Sequence, residues 1–267
     1  MHDALGSLAR RAAAAACLLL TFAAYAAAQQ PLVETPAAPE FMSRFDFQMW
    51  AAGLASDDVR FSWDTHWKGD FDFLDYVHGR MSFVADYEAV LGHERRLFDP
   101  SQGNYTLETS GSWRIRGTEF AGVLHHVSRH LADHQKIEAV AMNAALLRVM
   151  RQVDEGPTSL ALRIETGPVI ARAFVDYSWM TYGEATLRRT VSPHVGFYGR
   201  GYAEVWGVHK SVYHRSTQAG GHFEAGVRLN GKAGALELFG GYERVIDAYQ
   251  LDLLPMRWAF AGFRLLN

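Results

Sequence analysis

The chain has 267 residues, with 26 lysines and arginines against 29 aspartates and glutamates, so its formal net charge is −3. This near balance gives no basic excess of the kind that indicates binding to nucleic acid. Aromatic residues make up 13% of the chain, and its one cysteine, Cys17, excludes a disulfide bond within it.

The first 28 residues predict a secretory signal peptide. Arg10 and Arg11 form a positive n-region, an apolar run follows, and three alanines at 26–28 offer the small-residue cleavage pattern. The apolar run is too short to favour a membrane-spanning helix. We therefore expect residues 1–28 to be removed on export.

Alternation of apolar and polar residues dominates the rest of the chain. Residues 29–42 are rich in proline and predict a flexible periplasmic lead-in, and residues 43–267 then form one domain. In Val59–Lys68, for example, valine, phenylalanine and tryptophan fall on one strand face, and polar or charged side chains fall on the other. Most such stretches reach the roughly 9–11 residues that a strand needs to cross a bilayer.

Twelve strands are predicted in this way. In chain order they are Ser43–Ala55, Val59–Lys68, Val77–Val90, Tyr105–Arg116, Thr118–Ser128, Ile137–Gln152, Thr158–Arg172, Trp179–Thr190, Val195–Val208, Gly221–Leu229, Ala233–Arg244 and Arg257–Leu266. The fold prediction is an all-β, transmembrane, antiparallel up-and-down β-barrel with both termini in the periplasm.

The connections between these strands support the barrel. Tight turns are predicted at 116–118, 192–194 and 230–232, and longer connections at 91–104, 129–136, 209–220 and 245–256. Bacterial barrels show the same alternation of short periplasmic turns with longer outside loops. At two places the pattern does not fix the number of strands, so barrels of ten or fourteen strands are also possible. The connection 55–57 is short where a long loop is expected, and Thr166-Gly167-Pro168 could form a turn.

Charges of both signs lie on the polar face of the predicted strands. The residues are Asp64, His66, Lys68, Arg80, Asp86, Glu88, Arg114, Arg200, Glu204, Glu224, Arg228 and Glu237. Because an unpaired buried charge costs several kcal/mol or so, these residues predict a paired charge network in the lumen. The same residues would also suit a polar pore for small solutes. We expect large inward side chains to leave a narrow or mostly plugged lumen.

A dense histidine cluster occupies residues 125–134, where the fifth strand enters a loop. In a strand, His126, Ser128 and His130 share one face, and an imidazole beside a hydroxyl is the arrangement that activates a nucleophile. Metal binding by His126, His130 and His134 is a second interpretation, although their spacing suits a helix better than a strand. A hydrogen-bonded structural cluster is a third interpretation and the one favoured, so no metal and no cofactor are predicted.

This cluster resembles a motif, His-x-Ser-Ser-His-Leu-Gly-Asp, of an uncharacterised family of bacterial outer-membrane barrel proteins. The matching residues are His126, Ser128, His130, Leu131 and Asp133, whereas Arg129 and Ala132 depart from the motif. The resemblance covers about ten residues and implies an outer-membrane barrel.

The pair His126 and Ser128 also resembles the His-x-Ser pair of outer-membrane phospholipase A and of lipid A deacylases. In those enzymes an asparagine or an acidic residue on a neighbouring strand orients the histidine, and Glu138 or Asn143 could do so here. The Asn-Gly that commonly follows the pair in the phospholipases is missing.

Side-chain parity argues against this enzyme activity. Ala121, Val123 and Val127 form the better lipid-facing set, which predicts that His126 and Ser128 face the lumen, whereas the catalytic pair of those hydrolases faces lipid. The other face also carries apolar residues, namely Phe120, Gly122 and Leu124. The prediction is therefore a non-enzymatic protein with a structural or narrow, porin-like role.

We expect this protein in the outer membrane of a Gram-negative bacterium. Its expected partners are outer-membrane lipids and lipopolysaccharide and, during biogenesis, the barrel assembly machinery, with no nucleic acid. The alternative is a lipid acyl hydrolase with Ser128 as nucleophile, His126 as base and Glu138 as the group that orients it. A soluble periplasmic β-protein is a third possibility.

Overall fold

The computed structural model describes residues 35–132 and 140–267. The predicted signal peptide and residues 29–34 of the predicted lead-in lie outside the described residues. The strands are β1 (Glu40–Leu54), β2 (Trp63–Asp75), β3 (Arg80–Gly92), β4 (Asp99–Ile115), β5 (Thr118–Leu131), β6 (Val140–Glu155), β7 (Thr158–Ala173), β8 (Tyr177–Ser192), β9 (Val195–Val208), β10 (Gln218–Asn230), β11 (Ala235–Val245) and β12 (Met256–Leu266). A short helix, α1 (Lys210–Tyr213), lies between β9 and β10.

The strands form a closed antiparallel barrel, which confirms the predicted fold class. Each strand pairs with its neighbours in sequence, and β1 pairs with β12 from Gln48 opposite Leu266 to Leu54 opposite Phe260. Closure satisfies the backbone groups that an open sheet would leave at its edges. Because Thr166-Gly167-Pro168 lies inside β7, no extra turn divides that strand, and the barrel has twelve strands.

The connections differ in length between the two ends of the barrel. One end, here the turn end, carries the connections 76–79, 116–117, 156–157, 193–194 and 231–234. The other, here the loop end, carries 55–62, 93–98, 132–139, 174–176, 209–217 and 246–255. At Arg116 and Gly117 the φ angles are 50° and 73°, the positive values that a two-residue hairpin turn of the primed type requires.

The predicted bounds of the second strand, Val59–Lys68, are wrong, because β2 runs from Trp63 to Asp75. The chain turns before Trp63, where the Arg60 backbone N–H donates to Asp58 (3.0 Å) and Phe61 is buried against Trp258. Alternation of apolar and polar residues continues through this bend, so the pattern alone does not show where the strand begins. The bend lengthens the connection between β1 and β2 from the predicted 55–57 to 55–62.

The wall of the barrel has an apolar outer face and a charged inner face. Exposed apolar side chains surround the outside; examples are Phe45, Trp67, Met81, Tyr105, Trp113, Phe120, Leu124, Leu147, Ile164, Leu187, Phe197, Phe223, Leu238 and Leu265. A continuous apolar exterior of this extent is unusual for a protein in water. Within the described ranges, no helix has the length and apolar character needed to cross a membrane.

Candidate functional site

The strand that carries the histidine cluster, β5, has the opposite parity from the predicted one. Ala121 and Val123 are buried, and Val127 lines the lumen cavity, whereas Phe120 and Leu124 are exposed on the outside. Since side chains alternate between faces, the three residues His126, Ser128 and His130 lie on the outer, apolar face. The prediction that His126 and Ser128 face the lumen is wrong.

Hydrogen bonds organise this outer-face cluster. Ser128 Oγ lies 2.7 Å from His130 Nε2, and His126 Nδ1 lies 2.8 Å from Asn143 Oδ1. Asn143 sits directly opposite His126 on β6, so the pairing of β5 with β6 brings the amide to the imidazole. The cluster therefore contains a hydroxyl bonded to one imidazole and a second imidazole held by an amide, the components of a nucleophile–base–orienter set.

Aromatic side chains continue the cluster around the outside of the barrel. The His130 ring lies edge-on to Tyr105 with 5.7 Å between ring centroids, and Tyr105, Tyr87 and Trp67 follow at 5.0 and 5.8 Å. On its other side, Ser128 pairs with Ala141, a small residue. The hydroxyl is thus open to an apolar surface with an aromatic edge.

Two further predicted site residues, His134 and Glu138, and the motif residue Asp133 lie outside the described residues. Asn143, the other candidate for orienting His126, makes that contact.

All twelve of the predicted lumen residues lie on the inner face of their strands. Arg80 joins Asp72 (2.8 Å) and Glu119 (2.9 Å), while Arg114 joins Asp75 (2.7 Å). The other ten predicted lumen residues are Asp64, His66, Lys68, Asp86, Glu88, Arg200, Glu204, Glu224, Arg228 and Glu237. Ion pairs thus join both adjacent strands, such as β2 and β3, and strands two apart, such as β3 and β5, on the lumen wall.

Sequence reasoning missed two buried arginines of this network. Arg148 bridges Glu108 (2.5 Å) and Glu165 (2.9 Å), and Arg264 bridges Glu224 (2.8 Å) and Glu237 (2.7 Å). Each arginine has an apolar residue on either side of it in its strand. Because side chains alternate between the two faces of a strand, this pattern already predicts that both arginines face the lumen.

The connection 246–255, here called the lid segment, closes the loop end of the lumen. Arg129 donates to the Asp247 carbonyl (2.7 Å), and Gln102 donates to the Ala248 carbonyl (2.9 Å). Arg215, in the connection 209–217, binds the Asp247 carboxylate (2.7 Å). A hydrogen bond with Asp176 holds the pKa of Arg215 above its usual range.

The lid segment is also attached to the connection 55–62. The Arg60 guanidinium lies 4.1 Å from the centre of the Tyr249 ring and 2.7 Å from the Asp252 carboxylate. The hydrogen bond between Arg60 and Asp58 lowers the pKa of Asp58. Several independent contacts therefore hold the lid segment over the lumen.

Beneath the lid segment the lumen contains a cavity of about 400 Å³, lined by His66, His222 and Glu204 among others. A second cavity of about 460 Å³ lies toward the turn end and is lined by Arg44, Arg188 and further basic side chains. Lys68 and Arg200 line both cavities, so long basic side chains mark the boundary between them.

No protein-family model matches the chain, and no curated protein sequence matches it. Among solved structures, the chain is similar to the translocator domain of the autotransporter NalP from Neisseria meningitidis. The TM-score is 0.39 and the sequence identity 10%, over 96% of this chain and 97% of that chain.

Proposed function

We propose that this protein is an integral outer-membrane barrel that hydrolyses acyl esters of membrane lipids, with Ser128 as its nucleophile. The observation that carries the proposal is the position of Ser128, His126, Asn143 and His130 together on the apolar outer face. A lipid substrate would meet the hydroxyl there without entering the lumen.

The outer membrane is the location that the wall favours. A closed barrel satisfies every wall backbone group internally, and the apolar exterior matches hydrocarbon. Bacterial barrels place long connections outside the cell. Ser128 lies three residues before β5 ends at Leu131, or about 10 Å from the loop end. The reacting group would therefore meet the outer leaflet, where lipopolysaccharide and phospholipid acyl esters are available.

The reaction that we assign is acyl transfer to serine followed by hydrolysis. Ser128 Oγ attacks the ester carbonyl carbon, its proton passes to an imidazole, and the alcohol leaves as that proton returns to it. Water then attacks the acyl-serine ester with the same imidazole as base, releasing the fatty acid and restoring the serine.

We assign His126 as the base because a third group holds it. Asn143 fixes the His126 ring through Nδ1, which leaves Nε2 available for the Ser128 proton. His130 touches Ser128 in the present rotamer, and a rotation about χ1 of Ser128 moves Oγ away from His130 on the same strand face. A loss of activity on removal of Asn143 distinguishes His126 from His130 as base.

The test is fatty-acid release by the full chain refolded in detergent, offered phospholipid or lipopolysaccharide in mixed micelles. We expect Ser128→Ala to reduce fatty-acid release to the level of the lipid alone, because no acyl-serine can form, and His126→Ala to lower the rate by about 10²–10⁴-fold. Asn143→Ala should also lower the rate. Thr109→Ala is the matched control, because Thr109 is an exposed hydroxyl on the same outer face of the adjacent strand β4.

A non-enzymatic structural role is the alternative. The hydrogen bond of Ser128 with His130, and not with His126, favours this alternative. In that arrangement the hydroxyl and the imidazole satisfy each other's hydrogen bonding, and no catalytic role is needed to explain the contact. Equal release by wild type and Ser128→Ala, at the level of the lipid alone, would overturn the hydrolase proposal and leave this alternative.

A further inference from the structure

A second group of chemically capable side chains lies inside the barrel. Asp64 and His66 on β2 and Glu88 on β3 each direct one ligand atom into the lumen, and these three atoms lie within 4.8 Å of one another. His66 and Glu88 are direct partners in the ladder between β2 and β3, so the wall itself sets their spacing. The group is separate from the outer-face cluster of Ser128.

The hydrogen bonding of His66 suits a metal ligand. Its Nδ1 lies 2.9 Å from Asp86 Oδ1, while its Nε2 lies 3.5 Å from Asp64 Oδ2, longer than an ordinary hydrogen bond. A carboxylate that accepts from Nδ1 places the lone pair on Nε2, as happens in carboxylate–histidine–metal arrangements. Trp50, stacked on His66 with 4.4 Å between ring centroids, fixes the plane of the imidazole.

The two carboxylates of this group lack the partners that other lumen acids have. Within the described ranges, no lysine or arginine lies within 4.0 Å of Asp64 or Glu88. Among the residues that the structure describes, the only close cation for Asp64 is a protonated His66, and Glu88 accepts from the amide of Asn104 (2.7 Å). By contrast, Glu224 and Glu237 are paired with Arg264. An uncompensated charge that is largely shielded from solvent is costly, so a bound cation would stabilise this arrangement.

Two buried oxygen atoms are left without partners at the same place. Asp64 Oδ1 and Asn104 Oδ1 have no hydrogen-bond partner among the described residues. Asn104 is only 5% exposed, and its amide nitrogen donates to Glu88 (2.7 Å), so the Asn104 amide lies next to the group. Buried polar atoms are nearly always satisfied, and a cation among these oxygens would satisfy both.

We propose that Asp64, His66 and Glu88 bind one divalent transition-metal ion inside the barrel, with the Asn104 side-chain oxygen as a further donor. One imidazole nitrogen with carboxylate oxygens is a donor set that suits Zn²⁺, and such sites bind Zn²⁺ more tightly than Mn²⁺. The ion would join β2, β3 and β4 beneath the lid segment.

The first measurement is the amount of zinc that the full chain binds. The chain is refolded in detergent, stripped of metal with a chelator and then titrated with Zn²⁺ alone. We expect one Zn²⁺ per chain by calorimetry, and a thermal transition that rises with added Zn²⁺ because the ion binds only the folded barrel. No binding by the wild-type chain overturns the proposal outright, without reference to any variant.

Variants then locate the ion. Asp64→Asn and His66→Gln should each lower the affinity at least tenfold. Glu204→Gln, which changes a carboxylate of the same cavity that bonds Trp206, should leave the affinity unchanged.

Binding that survives in His66→Gln but is lost in His130→Gln would place the ion on the outer-face cluster and overturn the proposal. Because Ser128→Ala does not touch the lumen, failure of the hydrolase proposal and failure of the metal proposal are separate outcomes.

Discussion

Replacing Arg264 with methionine removes the cation that joins two buried carboxylates on neighbouring strands. Its guanidinium binds both oxygens of Glu224 (2.8 and 2.9 Å) and one oxygen of Glu237 (2.7 Å). The three residues are 0–3% exposed. Methionine keeps the volume near Phe239, which the guanidinium now covers, but it leaves the negative charges.

The expected destabilisation is about 3 kcal/mol, at the lower end of the range for breaking a buried ion pair. It falls there because each carboxylate keeps another partner. His222 Nε2 lies 3.2 Å from Glu224, and Arg228 lies 2.9 Å from Glu237. With a urea dependence of about 1–3 kcal/mol per molar, the unfolding midpoint should fall by about 1–3 M.

Urea unfolding in detergent, followed by tryptophan fluorescence, measures this change. Arg228→Met is the matched control, because Arg228 binds the same Glu237 through a side chain that is 29% exposed. Exposure to solvent screens that pair, so we expect a change of about 0–1 kcal/mol. Adding Glu224→Gln and Glu237→Gln to Arg264→Met should restore most of the lost stability.

Equal destabilisation by Arg264→Met and Arg228→Met would refute the reasoning, since burial would then not determine the cost. No recovery in the triple variant would also refute it, because the loss would come from packing and not from unpaired charge.

Three further outcomes are expected. Gly262→Ala should slow refolding and lower stability by about 1–3 kcal/mol, measured by urea unfolding, because its Cβ would lie 2.2 Å from the Ala51 carbonyl oxygen across the closing β1–β12 pair. The lid segment should lose amide protection in hydrogen exchange as the pH falls through and below about 4. Arg60, which holds the lid segment through Asp252 and Tyr249, also binds Asp58 and lowers the pKa of that carboxyl. The stability from the contact between Arg60 and Asp58 is therefore present above the ordinary aspartate pKa and is lost as Asp58 becomes protonated. In planar bilayers the wild type should conduct little, and Arg215→Ser, which removes one of the contacts that hold the lid segment, should raise the conductance.

The fold followed from the sequence because period-2 alternation is a direct consequence of strand geometry. β9 begins and ends at the predicted residues, Val195 and Val208, where turns bound a clear alternation. The pattern failed for β2, since Asp58 and Arg60 form a side-chain-stabilised bend inside an alternating stretch. Bends of this kind depend on contacts that the alternation does not encode.

The face of the candidate site was harder to predict because both faces of β5 are apolar. Ala121 and Val123 were assigned to lipid, yet they fill the lumen side, and the bulkier Phe120 and Leu124 face outward. The sequence did contain a deciding signal. Glu119 has the parity of Ala121 and Val123, and a charged side chain belongs in the lumen of a membrane barrel.

The Asn143 contact could be anticipated only as one of two alternatives. The sequence does not give the register between β5 and β6, and that register alone places Asn143 opposite His126. The lumen triad of Asp64, His66 and Glu88 likewise needed the β2–β3 register, because its members are separated by up to 24 residues in the chain.

Covalent labelling of Ser128 tests the central claim most directly. The refolded barrel would be treated with a fluorophosphonate that carries an alkyl chain, and the adduct located by mass spectrometry of the digested protein. We expect one adduct, on Ser128, formed much more slowly in Asn143→Ala and absent in Ser128→Ala. An unlabelled Ser128 in a folded barrel that resists urea would contradict the assignment of Ser128 as an activated nucleophile.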